Sequence, residues 1–328
     1  MGSKINGLVI VLVLAAATAA MADEEPRLSL PLDCGPVTSC WTSRLFDHDP
    51  GPPAVDWRCG PRASGDHDGI DIAPVDPKAT VRVLAAAAGV VLGMRNDMPD
   101  VNVLTTGAAA VQNHECGNGL VIDHGHGWQI QYCHLRRGTV SVRPGSAVSR
   151  GQELGQVGLS GLTELPHLHL TLRHDGHPVD PFTGTGQDTG CGVVVSPLWD
   201  AAALAALPYE SRHLYLTGFA AVQPEKVTAR AGGYLGPLPA DAPALILWAD
   251  MMAPRAGDVV RQQITGPDGH QVLSRDTRID KDHVQWFGYV GVKRRLPAWP
   301  IGRYLGRVTV LPADGGPSLA QETTIDVR

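Results

Sequence analysis

The chain has 328 residues, 43% of them hydrophobic and 18% charged, with 38 glycines and 26 prolines. This composition is too apolar for a disordered chain, the length favours two domains, and the wealth of turn formers argues against a helical bundle. A net charge of −6 offers no basic footprint for nucleic acid and no attraction to an anionic membrane surface.

The first element is a targeting segment. Lys4 precedes an apolar run over residues 5–20, and Ala20-Met21-Ala22 closes it with a small-x-small pattern before Asp23. Residues 1–22 therefore read as a secretory signal peptide cleaved after Ala22. The run falls short of the roughly 20 residues that span a bilayer, so no stable membrane insertion is expected after cleavage. The alternative is an uncleaved anchor. Export places the protein in the periplasm or outside the cell. It also turns Cys34, Cys40, Cys59, Cys116, Cys133 and Cys191 into expected disulfides. One pairing can be argued. Residues 119–123 and 128–135 read as strands around the turn Gly125-His126-Gly127, and the hairpin brings Cys116 and Cys133 to one open end.

Residues 23–64 form a cysteine-containing extension that could cover part of a cleft. Next comes Asp66-His67-Asp68-Gly69-Ile70-Asp71, in which His67 and Asp71 stand four apart across a glycine. An imidazole and a carboxylate both suit zinc. Residues 94–116 read as an inserted loop. His134 ends the second hairpin strand on the face expected to carry Trp128, Ile130 and Tyr132. In Pro166-His167-Leu168-His169-Leu170-Thr171-Leu172-Arg173 strict alternation sends the leucines to a core and His167, His169, Thr171 and Arg173 to the opposite, open face. Two histidines and one aspartate would leave the fourth position of a tetrahedral zinc open, as in catalytic sites, with two histidines to spare for proton transfer and oxyanion stabilisation. Residues 158–162 do not form a serine-hydrolase elbow, and His114-Glu115-Cys116 does not continue to His-Glu-x-x-His.

A glycine-rich loop over residues 182–192 marks a boundary near residue 195, followed by a short helical stretch at 198–207. Beyond it, runs at 227–230, 244–248, 259–264, 284–290 and 304–310 read as strands of an immunoglobulin-like β-sandwich without evident chemistry.

The order His67-x-x-x-Asp71, Tyr132-x-His134-Leu135 and His167-x-His169 resembles the lysostaphin/LytM-type zinc metallopeptidases, peptidase family M23. Residues 83–91, 117–125, 142–152 and Val179-Asp180-Pro181 resemble the family's flanking segments. The resemblance spans roughly residues 65–182 and implies an all-β chain. A small antiparallel metallopeptidase domain (65–195) would be followed by the sandwich (196–328). It implies one zinc per chain held by His67, Asp71 and His169, with His134 and His167 as the catalytic pair. It implies cleavage of peptide cross-links in bacterial peptidoglycan by a zinc-activated water. His167 is the expected base and His134 the oxyanion partner, although the sequence leaves open which ring takes the proton. The alternative is a non-catalytic wall-binding or regulatory protein that retains a metal site. One departure stands out: Thr163-Glu164-Leu165-Pro166 replaces the family's frequent Thr-Gly-Pro.

Overall fold

The computed structural model describes residues 25–34, 40–49 and 51–328, and the expected signal peptide lies outside them. The first strands are β1 (Cys40–Arg44), β2 (Ile70–Pro74), β3 (Arg82–Leu84) and β4 (Gly89–Arg95). A short helix, α1 (Val103–Thr106), precedes the hairpin β5 (Asn118–Gly125) and β6 (Trp128–Leu135). Then come β7 (Ala147–Val148), β8 (Glu153–Gln156), β9 (Leu168–His174), β10 (His177–Val179) and helix α2 (Ala201–Ala206). One antiparallel sheet runs β1-β2-β9-β6-β5-β4-β7, with β10 beside β9, while β3 and β8 pair separately. Residues 83–91, which resemble one flanking segment of the family, thus divide between two sheets.

The leucine alternation in β9 builds the floor of this sheet. Leu168, Leu170 and Leu172 are fully buried and pack with Ile70, Ile122 and Ile130. The N-terminal extension joins the same core through Leu28, Leu32 and Leu45, and residues around α2 join it through Trp199 and Leu207. Three disulfides cross the chain: Cys34–Cys40, Cys59–Cys191 and Cys116–Cys133. The last is the one the hairpin predicts. It closes a short loop, separation 17, so a Cys116→Ser, Cys133→Ser double variant is expected to lose about 3 kcal/mol of stability, read as a lower denaturation midpoint.

The remaining elements are β11 (His213–Ala220), helix α3 (Lys226–Arg230), β12 (Ala244–Met252), β13 (Val259–Thr265), β14 (Gln271–Arg278), β15 (Gln285–Lys293), β16 (Gly302–Leu311) and β17 (Leu319–Val327). They make two sheets, β11-β12-β15 and β14-β13-β16-β17. Leu247, Val260, Ile264, Tyr304 and Val308 close one core between them. This is a two-layer antiparallel arrangement, and the chain is all-β as expected.

Residues 227–230 are a helix, not a strand. Pro224 cannot donate to a ladder, and the following amides instead bond within the turn, Ala229 to the Glu225 carbonyl and Ala231 to that of Val227. In the C-terminal part, the three strands missing from the sequence reading, β11, β14 and β17, are all sheet edges. The edge strand β14 is largely exposed and carries Ser274, Arg275, Asp276, Thr277 and Arg278, so it lacks a long apolar run. The two parts of the chain meet in a small shared core of Trp41, Ala73, Leu165, Tyr215 and Met252, and the Trp41 ring stacks on His213 at 3.7 Å.

Candidate metal and catalytic site

Register brings the site together. Across β2 and β9, Asp71 faces His169, and across β6 and β9, Cys133 faces His169. Side chains of in-register partners share a face, so Asp71 and His169 look out on the same side of the sheet, opposite the buried leucines. His67 arrives from the turn before β2.

His134 reaches this face by a different route from the one read in the sequence. Trp128, Ile130 and Tyr132 belong to the core, and strict alternation would have buried His134 beside them. Instead the β5–β6 register shifts between Asn118 and Leu120, leaving Cys133 and His134 together opposite Gly119. His134 adopts φ 64°, a left-handed backbone uncommon outside glycine. This bulge puts both residues on the groove side. A Cβ at Gly119 would come within 2.1 Å of the Tyr132 carbonyl oxygen, so the bulge needs glycine there.

Three imidazoles surround one carboxylate, and a fourth, that of His134, stands beside them. The Asp71 Oδ1 lies 3.1 Å from His67 Nε2, 2.8 Å from His169 Nδ1 and 3.4 Å from His167 Nε2. The His134 and His167 rings are 4.7 Å apart. His67, Asp71 and His169 offer ligand atoms within 4.8 Å of one another, so these three could hold a metal ion. Their donor set, two imidazole nitrogens and a carboxylate oxygen, is one that divalent zinc accepts.

Neighbouring groups fix each ring. His67 donates from Nδ1 to the Leu45 carbonyl at 2.8 Å, leaving Nε2 to the site. His134 donates from Nδ1 to the Ser160 carbonyl, and His167 from Nδ1 to the Leu165 carbonyl, each at 2.8 Å. Thr171 donates to Asp68, so its hydroxyl accepts from His169 Nε2 at 2.9 Å and turns Nδ1 inward, toward Asp71. Such outer contacts set tautomer and orientation in metal sites. Leu45, Ser160 and Leu165 carry no signal in the sequence, because they act through backbone carbonyls. Thr171 could have been picked out, because it shares the alternating face with His167 and His169.

The electrostatics favour positive charge at the carboxylate. Burial alone would raise the Asp71 carboxyl, but the facing His167 and His67 outweigh it and hold the group well below the usual range. Burial likewise opposes a charged His169, yet hydrogen bonds to Asp68 and Asp71 prevail and raise it to about 9. His134 moves the other way: burial first, then the neighbouring His167 and His169, push it well below its ordinary value and keep the ring neutral.

The five residues lie in a groove of about 740 Å³. One wall comes from the N-terminal extension through Ser43 and Arg44. Another comes from the inserted loop through Val103, Asn113 and His114, and Met252 and Gln285 reach in from the C-terminal sheets.

Residues 65–181 match Peptidase family M23. This part of the chain belongs to that family. Among curated relatives, 82 residues are 40% identical to the peptidoglycan DD-endopeptidase ShyA of Vibrio cholerae, covering 24% of this chain and 19% of that protein. A further match, 35% over 71 residues, is to the cell division protein DipM of Caulobacter vibrioides, covering 20% of this chain and 11% of the other. The M23 region thus spans a fifth or less of these relatives' lengths. Among solved structures, the catalytic domain of the prophage-encoded M23 protein EnpA from Enterococcus faecalis is 27% identical. That likeness covers 43% of this chain and 98% of that one, with a TM-score of 0.30. The SpoIIQ–SpoIIIAH pore-forming complex gives 19% identity, 50% and 94% coverage and a TM-score of 0.37. No helix among the described residues is long and apolar enough to cross a membrane.

Proposed function

We propose that the chain is an exported zinc endopeptidase that cleaves peptide cross-links of bacterial peptidoglycan. The observation that carries this reading is the convergence of His67, Asp71, His134, His167 and His169 at one point of an open groove. In this reading His67, Asp71 and His169 hold the zinc. Bound there, zinc supplies Lewis-acid polarisation of the scissile carbonyl and makes water acidic enough to ionise near neutral pH. His167 is the general base, since its Nδ1 proton is committed to the Leu165 carbonyl and its Nε2 lone pair faces the site. His134 is the oxyanion partner. It presents Nε2 in the same way, so it donates to an oxyanion only after gaining a proton. Kinship with a peptidoglycan DD-endopeptidase supports the substrate class, and three disulfides support an oxidising compartment outside the cytosol.

The test is metal content and cleavage on one sample. Residues 23–328 are purified as wild type and as His169→Ala, zinc per chain is measured, and soluble fragments released from purified peptidoglycan are counted. About one zinc per wild-type chain is expected, lost in the variant together with cleavage. Zinc without cleavage of any wall preparation would move the assignment to a non-catalytic wall-binding or regulatory protein.

A further inference from the structure

The segment that orients both catalytic histidines is gripped by the C-terminal sheets. Its residues 160–165 supply the Ser160 carbonyl to His134 and the Leu165 carbonyl to His167. Within it, the Thr163 hydroxyl donates to the same Leu165 carbonyl at 2.7 Å. Between Thr163 and Leu165 stands Glu164, the residue that departs from the family's frequent pattern.

Glu164 does not face solvent alone. Its Oε2 accepts from Lys226 Nζ at 2.7 Å and from Arg230 Nη1 at 3.1 Å. The two cations are four apart on α3, so they project on one face. Arg230 is itself fixed. Its side chain is 2% exposed, and Asp250 of β12, fully buried, clasps it through Nε at 2.6 Å and Nη2 at 3.1 Å. A bidentate, charge-assisted pair of this kind has little freedom. Gln285, on the groove wall, accepts from Lys226 at 3.1 Å. The next residue, Leu165, is buried in the core shared by the two parts of the chain.

We infer that Glu164 is a positioning residue: clasped by Arg230 and Lys226 of α3, with Arg230 anchored to β12 through Asp250, it sets the Leu165 carbonyl and through it the His167 ring. The C-terminal part of the chain thereby holds the peptidase site in working geometry. This rests on the assignment of His167 as the base.

The experiment compares the zinc-loaded full chain with Glu164→Ala and Glu164→Gln. Each is assayed for kcat, KM, zinc content, melting temperature and the imidazole NMR signal of His167. Glu164 is 30% exposed, so neither change should unfold the chain. Glu164→Ala is expected to lower kcat roughly 10- to 100-fold, as small misplacements of reacting groups do, with KM, zinc and melting little changed and the His167 Nδ1 proton signal shifted or broadened. Glutamine keeps an acceptor for Arg230 and Lys226 and should recover most of the rate and the wild-type signal. Full activity in Glu164→Ala, a rate loss that glutamine does not rescue, or a loss that tracks zinc or melting would each overturn the inference. If the wild type binds zinc but cleaves nothing, the functional assignment falls and the NMR signal alone decides: unmoved in Glu164→Ala, it overturns the positioning role as well.

Discussion

His167→Ala is expected to lower kcat for peptide cleavage by roughly 10²- to 10⁴-fold, the usual contribution of a positioned proton-transfer group, while the zinc stays bound. The Nε2 of His167 stands 3.4 Å from the Asp71 oxygen, and its Nδ1 is held by a backbone carbonyl that fixes the tautomer. His134→Ala should cost a similar factor, and His134→Gln separates the two roles. Glutamine can donate a hydrogen bond but cannot take a proton at neutral pH. If His134 only steadies an oxyanion, His134→Gln should keep a substantial part of the rate. If it must accept a proton, glutamine and alanine should be equally poor. Zinc content measured beside kcat checks the prediction, because a variant that loses both would mark the residue as a ligand instead.

A second large effect is expected in the C-terminal sheets, on stability. Asp258 is fully buried and accepts from Arg212 Nε at 2.6 Å and Nη2 at 3.0 Å, from the Arg255 amide at 2.8 Å and from the Ala313 amide at 2.9 Å. It therefore ties the start of β11 to the loops that flank β13 and β16. Asp258→Ala leaves a guanidinium only 4% exposed with Asp314, itself half exposed, as its remaining acid. Removing one partner of a buried ion pair costs about 3–5 kcal/mol, because the other charge is stranded away from water. The melting temperature should fall by roughly 10 °C. Asp258→Asn retains acceptors for part of the network and should recover part of the loss. A melting curve unchanged in Asp258→Ala would show that water or neighbouring groups already solvate Arg212.

How far these features could be read without coordinates differs by residue. The β9 leucines were legible because a period of two is a local property of the chain, and the open faces of His167 and His169 follow from it. The Cys116–Cys133 bridge was legible because a tight turn fixes which residues of a hairpin lie abreast. His134 was placed on the wrong face. Its route to the groove depends on a bulge that Gly119, on the neighbouring strand, makes room for, and no local pattern reports a cross-strand shift. Residues 227–230 look β-prone by composition, yet helix α3 is what lets Lys226 and Arg230 meet Glu164, and this tertiary demand overrides a weak propensity. Met252 and Gln285 were invisible as groove residues because they come from strands far along the chain.

The disulfide map also bears on how the protein is made. A chain that crosses a membrane N-terminus first presents its cysteines in the order 34, 40, 59, 116, 133, 191. Joining them as they emerge gives Cys34 with Cys40, then Cys59 with Cys116 and Cys133 with Cys191. The native partners of Cys59 and Cys116 are instead Cys191 and Cys133, so a nested pair must close inside a longer one. An oxidant that acts on thiols in order of arrival would trap two wrong bonds out of three. If the chain is exported and oxidised in that order, maturation calls for thiol–disulfide exchange after the last cysteine has arrived, and the yield of native protein should depend on a disulfide isomerase as well as an oxidase.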